Sequence, residues 1–286
     1  MPEAKDSDPR ACVIGWPVAH SRSPLIHSYW LEKYGLRGHY DKHAVPPEDF
    51  PAFLDNFAES GFVGANVTVP YKELAYELVD RREPAAEAVR AVNTLWLDDG
   101  QLVGDNTDVY GFLANLDEGA PGWDGGSHAA VIGAGGAARA VLKGLIDRGF
   151  TEIRLANRTV SKAQGLAEAF GPAIQPVAWA ERDAMLDGCA LLVNTTSLGM
   201  EGSPALEIDL AALPDDAVVT DIVYVPLQTP LLRAAEARGL RTVDGLGMLL
   251  HQAVPGFARW FGVRPEVTPE LRARIVADIE QDKAAS

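Results

Sequence analysis

A four-residue apolar run, Ala129-Ala130-Val131-Ile132, passes directly into Gly133-Ala134-Gly135-Gly136-Ala137-Ala138 and on into a helix-like stretch, Arg139–Arg148. The string Gly-x-Gly-x-x-Ala alone is weak, because glycine-rich turns are common. Its context narrows the options. An apolar strand precedes it, an apolar helix follows, and a second strand ends about 20 residues on. A parallel βαβ unit meets these conditions. Gly133 permits the tight turn, Gly135 leaves room for a pyrophosphate to approach the backbone, and Ala138 lets helix and strand pack closely. The amides and dipole of the helix N-terminus then face the phosphates. The segment therefore predicts a dinucleotide site.

The second strand, Glu152–Ala156, selects the cofactor. A site for NAD usually places Asp or Glu at the end of that strand, on the ribose 2′-hydroxyl. Here the end reads Asn157-Arg158-Thr159. No carboxylate is there to repel a 2′-phosphate, and Arg158 can meet one with a charge-assisted fork. Lys162 lies one helical turn further on. The expected cofactor is NADP.

Similar alternation runs through most of the 286 residues. Strand-like Ala11–Ile14, His39–Val45 and Phe62–Val69 are separated by helix-like Leu25–Tyr34 and Pro47–Ser60, and helix-like Tyr71–Arg81 follows. Val92–Leu97 and Leu102–Gly104 flank Asp98-Asp99-Gly100, a hairpin signal that adds an antiparallel pair. After a glycine-rich seam at Gly119–Ser127 the alternation restarts, with strands near 129–132, 152–156, 174–178, 190–194, 217–223 and 241–243. Two helices, Met248–Phe261 and Thr268–Lys283, end the chain. In the second, Thr268 is the expected N-cap, and Leu271, Ile275 and Ile279 share a face. The fold class is two-domain α/β. A mixed α/β substrate domain over 1–109 precedes a Rossmann-type NADP domain over 110–244, and C-terminal helices over 245–286 return to the first domain.

Composition removes several function classes. The net charge of −15 disfavours nucleic acid and anionic membrane as partners. No segment approaches the roughly 18 apolar residues of a membrane span. The polar start, Met1 to Arg10, reads as a frayed tail without signal-peptide features. Two cysteines, Cys12 and Cys189, sit among apolar neighbours and predict buried thiols in a cytoplasmic protein. The scattered histidines have no metal-ligand spacing, so no metal is expected.

Three polar clusters interrupt the first domain at strand ends. In His20-Ser21-Arg22-Ser23-Pro24, two hydroxyls and a helix N-terminus form a cup suited to a carboxylate. Alone, it also reads as a helix cap. In Asn66-Val67-Thr68-Val69-Pro70-Tyr71-Lys72, a lysine opens a helix against the macrodipole. In Ala91-Val92-Asn93-Thr94 and Gly104-Asp105-Asn106-Thr107-Asp108, amide, hydroxyl and carboxylate groups crowd together, and Asp108 can cap the helix that follows.

Taken together, Gly15–His27, Asn66–Lys72, Ala91–Asn93, Gly104–Gly111, Gly133–Ala138, Asn157–Thr159, Asn194–Met200, Asp221–Leu232 and Asp244–Gln252 resemble the shikimate dehydrogenase family over nearly the whole chain. The resemblance implies NADPH-dependent, reversible reduction of 3-dehydroshikimate to shikimate. It implies that Lys72 and Asp108 flank the reacting carbon, with Lys72 first stabilising the developing oxyanion and then protonating it. Ser21, Ser23 and Tyr224 would hold the substrate carboxylate. Thr68, Asn93 and Gln252 would bind the ring hydroxyls. Gly133, Gly135 and Ala137 would line the pyrophosphate, Asn157, Arg158 and Thr159 the adenosine phosphate with Lys162 assisting, and Thr195, Gly245 and Met248 the nicotinamide end. Ser28 departs from the asparagine that many relatives carry. A monomer or homodimer is expected. The rival readings are a quinate/shikimate dehydrogenase using NAD and a non-catalytic sensor of the same ligand.

Overall fold

The computed structural model describes residues 8–285, with side chains to residue 282. Residues 1–7 of the expected tail lie outside this range. Arg10, at the end of that expected tail, is already in a strand paired with His39.

The chain divides into two compact units, residues 1–107 with 252–286, and residues 108–251. The first unit holds β1 (Arg10–Gly15), β2 (His39–Ala44), β3 (Gly64–Val67), β4 (Arg81–Arg82), β5 (Thr94–Asp98) and β6 (Gln101–Asp105). They form one mixed sheet in the order β2-β1-β3-β5-β6-β4. Four helices accompany it: α1 (Ser23–Lys33), α2 (Phe50–Asp55), α3 (Lys72–Leu78) and α4 (Pro84–Val89). The parallel strand β1 is buried on both faces, as strands covered on both sides are. Cys12 and Ile14 pack into one apolar cluster with Phe50, Phe57 and Tyr71. Ala11 and Val13 pack into another with Tyr40, Trp96 and Trp260. β5 and β6 pair antiparallel across Asp99 (φ 49°) and Gly100 (φ 81°), the two left-handed positions of a type I′ turn.

The second unit opens with α5 (Asp108–Gly119) and contains β7 (His128–Ile132), β8 (Glu152–Ala156), β9 (Ile174–Val177), β10 (Leu191–Asn194), β11 (Val218–Asp221) and β12 (Arg241–Val243). All pair parallel, in the order β12-β11-β10-β7-β8-β9. This is the doubly wound order of a dinucleotide fold, with its reversal between β7 and β10. Helices α6 (Gly136–Asp147), α7 (Val160–Phe170) and α8 (Pro230–Ala237) connect the strands. Alternate residues of β7 again serve two cores: Ala129 and Val131 one, Ala130 and Ile132 the other.

Helix α9 (Leu246–Phe261) crosses the division between the units, and α10 (Pro269–Ala285) ends the described chain. The seams at Thr107/Asp108 and His251/Gln252 differ from 109/110 and 244/245 for a packing reason. α5 is one helix and packs as a whole, with Phe112 and Leu113 against Gly144 of α6. The first turn of α9 stays with the second unit, because Gly247 lies against Asn115 and Met248 packs on that unit's core. From Gln252 on, the chain belongs to the first unit. Trp260 Nε1 donates to the Leu95 carbonyl at 2.9 Å, and α10 runs beside α1, where Trp30 Nε1 donates to the Glu266 carbonyl at 3.0 Å.

Candidate active site

Parallel strands carry their ligand loops at their C-terminal ends. In the first unit, β1 and β3 end side by side. The Thr68 amide donates to the Ile14 carbonyl at 2.9 Å, and the Trp16 amide to the Val69 carbonyl at 3.3 Å. Gly15 makes this approach possible, since a Cβ there would sit 2.5 Å from Thr68 Cγ2. The next segment leads to α1. Its helix starts at Ser23, two residues before the expected start, so Ser23 supplies a first-turn amide as well as a hydroxyl. Ser21 Oγ accepts from the Ser23 amide and donates to Ser23 Oγ, both at 3.3 Å. The two hydroxyls stand together at the positive end of the α1 dipole, a place that suits an anion. Arg22, between them, turns to α10 instead. Its Nε donates to Asp278 at 2.9 Å and its Nη2 to Asp282 at 2.6 Å. A cavity of about 460 Å³ opens here, lined by His20, Ser21, Arg22, Lys42, Asp278 and Asp282 among others.

Lys72 is the first residue of α3 and half-buried; its carbonyl accepts the Val92 amide at 2.8 Å. Asn93 is buried just before β5, and its carbonyl accepts the Val67 amide at 2.8 Å. Thus Thr68, Lys72 and Asn93 share one corner. The Asn93 amide is fixed in orientation. Its Oδ1 accepts from the Thr107 amide (2.8 Å), Thr94 Oγ1 (2.9 Å) and Thr107 Oγ1 (3.2 Å), which turns the NH2 to the opposite side. Gln252 is buried in α9 within the same unit.

Asp108 belongs to the second unit. It is the first residue of α5, inside the turn rather than capping it, where a carboxylate suits the positive end of the dipole. The glycine loop takes the expected form. Gly133 has φ +105°, and a Cβ there would meet Thr195 Oγ1 at 2.6 Å. Gly135 is the residue before α6, and a Cβ there would meet nothing within 4 Å, so open space lies over the helix N-terminus. Ala137 is in the first turn and Ala138 is fully buried. Asn157 joins the loop to the end of β8: its Oδ1 accepts the Ala134 amide at 3.2 Å and its Nδ2 donates to the Thr159 carbonyl at 2.8 Å. Arg158, Thr159 and Lys162 are exposed beyond it. Arg158 makes no hydrogen bond or ion pair among the described residues. A cation without a partner, an open helix end and no strand-end carboxylate together fit a dinucleotide with an extra phosphate.

Thr195 is buried, and its hydroxyl donates to the main-chain carbonyls of Ile132 (2.8 Å) and Gly133 (3.2 Å), so it braces the loop. Tyr224 is half-buried after β11. Gly245 is required by contact: a Cβ there would lie 2.3 Å from the Ile222 carbonyl oxygen. Sequence reasoning assigned no role to Asp221. It is wholly buried at the end of β11 and accepts from Thr229 Oγ1 (2.8 Å), Asn194 Nδ2 (3.0 Å) and the Val223 amide (3.0 Å). Burial pushes its carboxyl up, and the three donors work against that. It ties the loop bearing Tyr224 to the end of β10. The available signal was the pair of polar residues ending adjacent strands, Asn194 and Asp221. Among the described residues no group of three His, Cys, Asp or Glu is arranged to hold a metal.

Three family models match the chain: the shikimate dehydrogenase substrate binding domain over residues 13–95, shikimate / quinate 5-dehydrogenase over 124–200, and the shikimate 5′-dehydrogenase C-terminal domain over 245–269. A relative from Azorhizobium caulinodans, named shikimate dehydrogenase (NADP(+)), is 57% identical over 271 residues, covering 94% of this chain and 96% of the relative. The chain belongs to the shikimate dehydrogenase family. A relative of the same name from Rhodopseudomonas palustris is 59% identical over 269 residues, covering 94% of this chain and 96% of its own. The solved shikimate 5-dehydrogenase from Thermus thermophilus, in complex with NADP(H) and shikimate, superposes with a TM-score of 0.83 at 37% identity, covering 95% of this chain and 99% of that one. Quinate dehydrogenase from Corynebacterium glutamicum, in complex with NAD, superposes with a TM-score of 0.87 at 31% identity, covering 94% and 99%. The fold is therefore shared by a protein solved with NADP(H) and one solved with NAD.

Proposed function

We propose that the chain is an NADP-dependent shikimate dehydrogenase, an oxidoreductase acting on a CH–OH group in aromatic amino-acid biosynthesis. The observation that carries the cofactor choice is Arg158, exposed and without a protein partner where an NAD site holds a carboxylate. NADPH would supply the hydride. The chain's own residues do the rest. Ser21, Ser23 and Tyr224 hold the carboxylate of 3-dehydroshikimate. Thr68, Asn93 and Gln252 hold its hydroxyls, Asn93 as a donor of fixed orientation. Lys72 stabilises the negative charge growing on the C3 oxygen and then delivers the proton. Asp108 orients Lys72 and accepts from the neighbouring hydroxyl. Gly133, Gly135 and Ala137 leave the α6 amides open to the pyrophosphate, with Asn157, Arg158, Thr159 and Lys162 on the adenosine phosphate and Thr195, Gly245 and Met248 toward the nicotinamide. Two buried free thiols, Cys12 and Cys189, support a cytoplasmic location, where thiols stay reduced.

The test is reduction of NADP⁺ and NAD⁺ measured with shikimate and with quinate. Shikimate with NADP⁺ is the expected best pair. In the Arg158→Ala variant the KM for NADP⁺ should rise at least about tenfold, with the KM for NAD⁺ little changed, because only one dinucleotide carries the phosphate. Equal changes for both would refute the role of Arg158. Turnover of quinate with NAD⁺ alone would favour the rival dehydrogenase, and no turnover of any pair the sensor.

A further inference from the structure

A buried polar chain runs behind the substrate corner. Tyr40 of β2 is 4% exposed and Asn66 of β3 is 5% exposed. The Tyr40 hydroxyl donates to Asn66 Oδ1 at 2.6 Å. Asn66 Nδ2 donates to the Asn93 carbonyl at 3.1 Å and to Thr94 Oγ1 at 3.2 Å. The direction is forced. A carbonyl only accepts, so the Asn66 NH2 must face Asn93, its oxygen must face Tyr40, and Tyr40 must donate. The chain is one-way: Tyr40 to Asn66, and Asn66 to Asn93 and Thr94.

The ring of Tyr40 is held as firmly as its hydroxyl. It stacks flat on His27, with centroids 3.9 Å apart and planes 4° from parallel. His27 lies four residues after Ser23, on the same face of α1. Tyr40 thus touches α1 through its ring one turn below the serine cup.

We propose that Tyr40 is a positioning residue for the substrate site, tying the end of α1 that carries Ser21 and Ser23 to the strand edge that carries Asn66 and Asn93. The inference rests on the substrate site proposed above. Two subsites on separate elements bind one rigid ring only if their spacing is fixed. Tyr40 fixes it from behind without touching the ring.

Tyr40→Phe keeps the stack on His27 and removes the hydroxyl that holds Asn66. The KM for shikimate should rise about tenfold, the equivalent of one buried hydrogen bond left unmade. The KM for NADP⁺ should be unchanged, and kcat should stay within about twofold, since no transition-state contact is lost. Asn66→Ser breaks the next link and should give the same split. A lower melting temperature with an unchanged shikimate KM would mark Tyr40 as merely structural and overturn the proposal. Ser23→Ala, run alongside, separates the two readings. An unchanged shikimate KM in that variant removes the serine cup itself. A raised KM there, with none in Tyr40→Phe, overturns the role of Tyr40 alone.

Discussion

His27 is fully buried among Trp30, Tyr40, Phe257 and Trp260, and neither ring nitrogen has a hydrogen-bond partner. Burial pushes its pKa down to about 3, with Asn66 acting weakly the other way. In the unfolded chain the ring titrates near 6.5. Between these values the unfolded state binds the proton and the folded state does not. Stability from this group is therefore complete at pH 7 and is lost as pH falls from 6.5 toward 3. His27→Phe keeps an aromatic ring against Tyr40 and removes the titration. Urea unfolding at pH 7 and at pH 5 should show a drop in stability about 2 kcal/mol smaller in the variant than in the parent. Equal drops would show that His27 is protonated or solvated in the folded state. Lys72→Ala is the corresponding test of chemistry. Its kcat should fall at least a hundredfold, with a much smaller change in the shikimate KM, as expected for a group that acts on the transition state. Lys72 was legible in the sequence because a lysine opening a helix defies the macrodipole. His27, Tyr40 and Asp221 were not. A polar side chain's burial depends on elements far away in the chain, and Tyr40 and Asn66 meet only once β1 lies between β2 and β3.

At the scale of elements, the first two glycines of the cofactor loop have different physical requirements. Gly133 needs its left-handed φ, and any Cβ collides with Thr195 and Thr196. Gly135 has an ordinary φ of −92° and open space above it. Gly133→Ala should therefore lower the melting temperature of the protein without ligand, by several degrees for a strained backbone plus a clash. Gly135→Ala should leave that temperature within about a degree and raise the KM for NADP⁺, because the methyl group occupies the phosphate's approach. Melting curves with and without NADP⁺ separate the two; a folding defect in Gly135→Ala would count against the open cradle. Short apolar runs made the strands of the second unit legible, each within a few residues of its observed bounds. The Pro47–Ser60 run was less so. It contains α2 and a 3₁₀ turn at Phe57–Glu59, because Asn56 turns its amide to the Ala52 carbonyl (2.7 Å) and breaks the helix between them. The helix at Pro84–Val89 was missed. Six residues give too little periodicity, and its signal is the proline at its first position.

At the scale of the molecule, the two units differ in how local their cores are. The second unit draws both faces of its sheet from Asp108–His251 alone. The first depends on residues from the far end of the chain. Phe257 packs on His27 and Trp30, and Gly64 has no Cβ because Trp260 Nε1 would lie 1.9 Å from it. Leu271, Ile275 and Ile279 of α10 are buried at one-turn spacing. Each of these five side chains contributes roughly 2 kcal/mol by burial, so their removal costs on the order of 10 kcal/mol. That equals the whole stability of an ordinary domain, about 5–15 kcal/mol. The fragment 1–107 should consequently fail to fold cooperatively. The fragment 108–251 should melt in a single transition and gain stability with NADP⁺ in proportion to the logarithm of its concentration. Supplying 252–286 in trans is not equivalent, since closing the complex then adds the entropy of association. Circular dichroism melts of both fragments decide the matter. A cooperative melt of 1–107 would mean that α9 and α10 decorate a finished core rather than complete it.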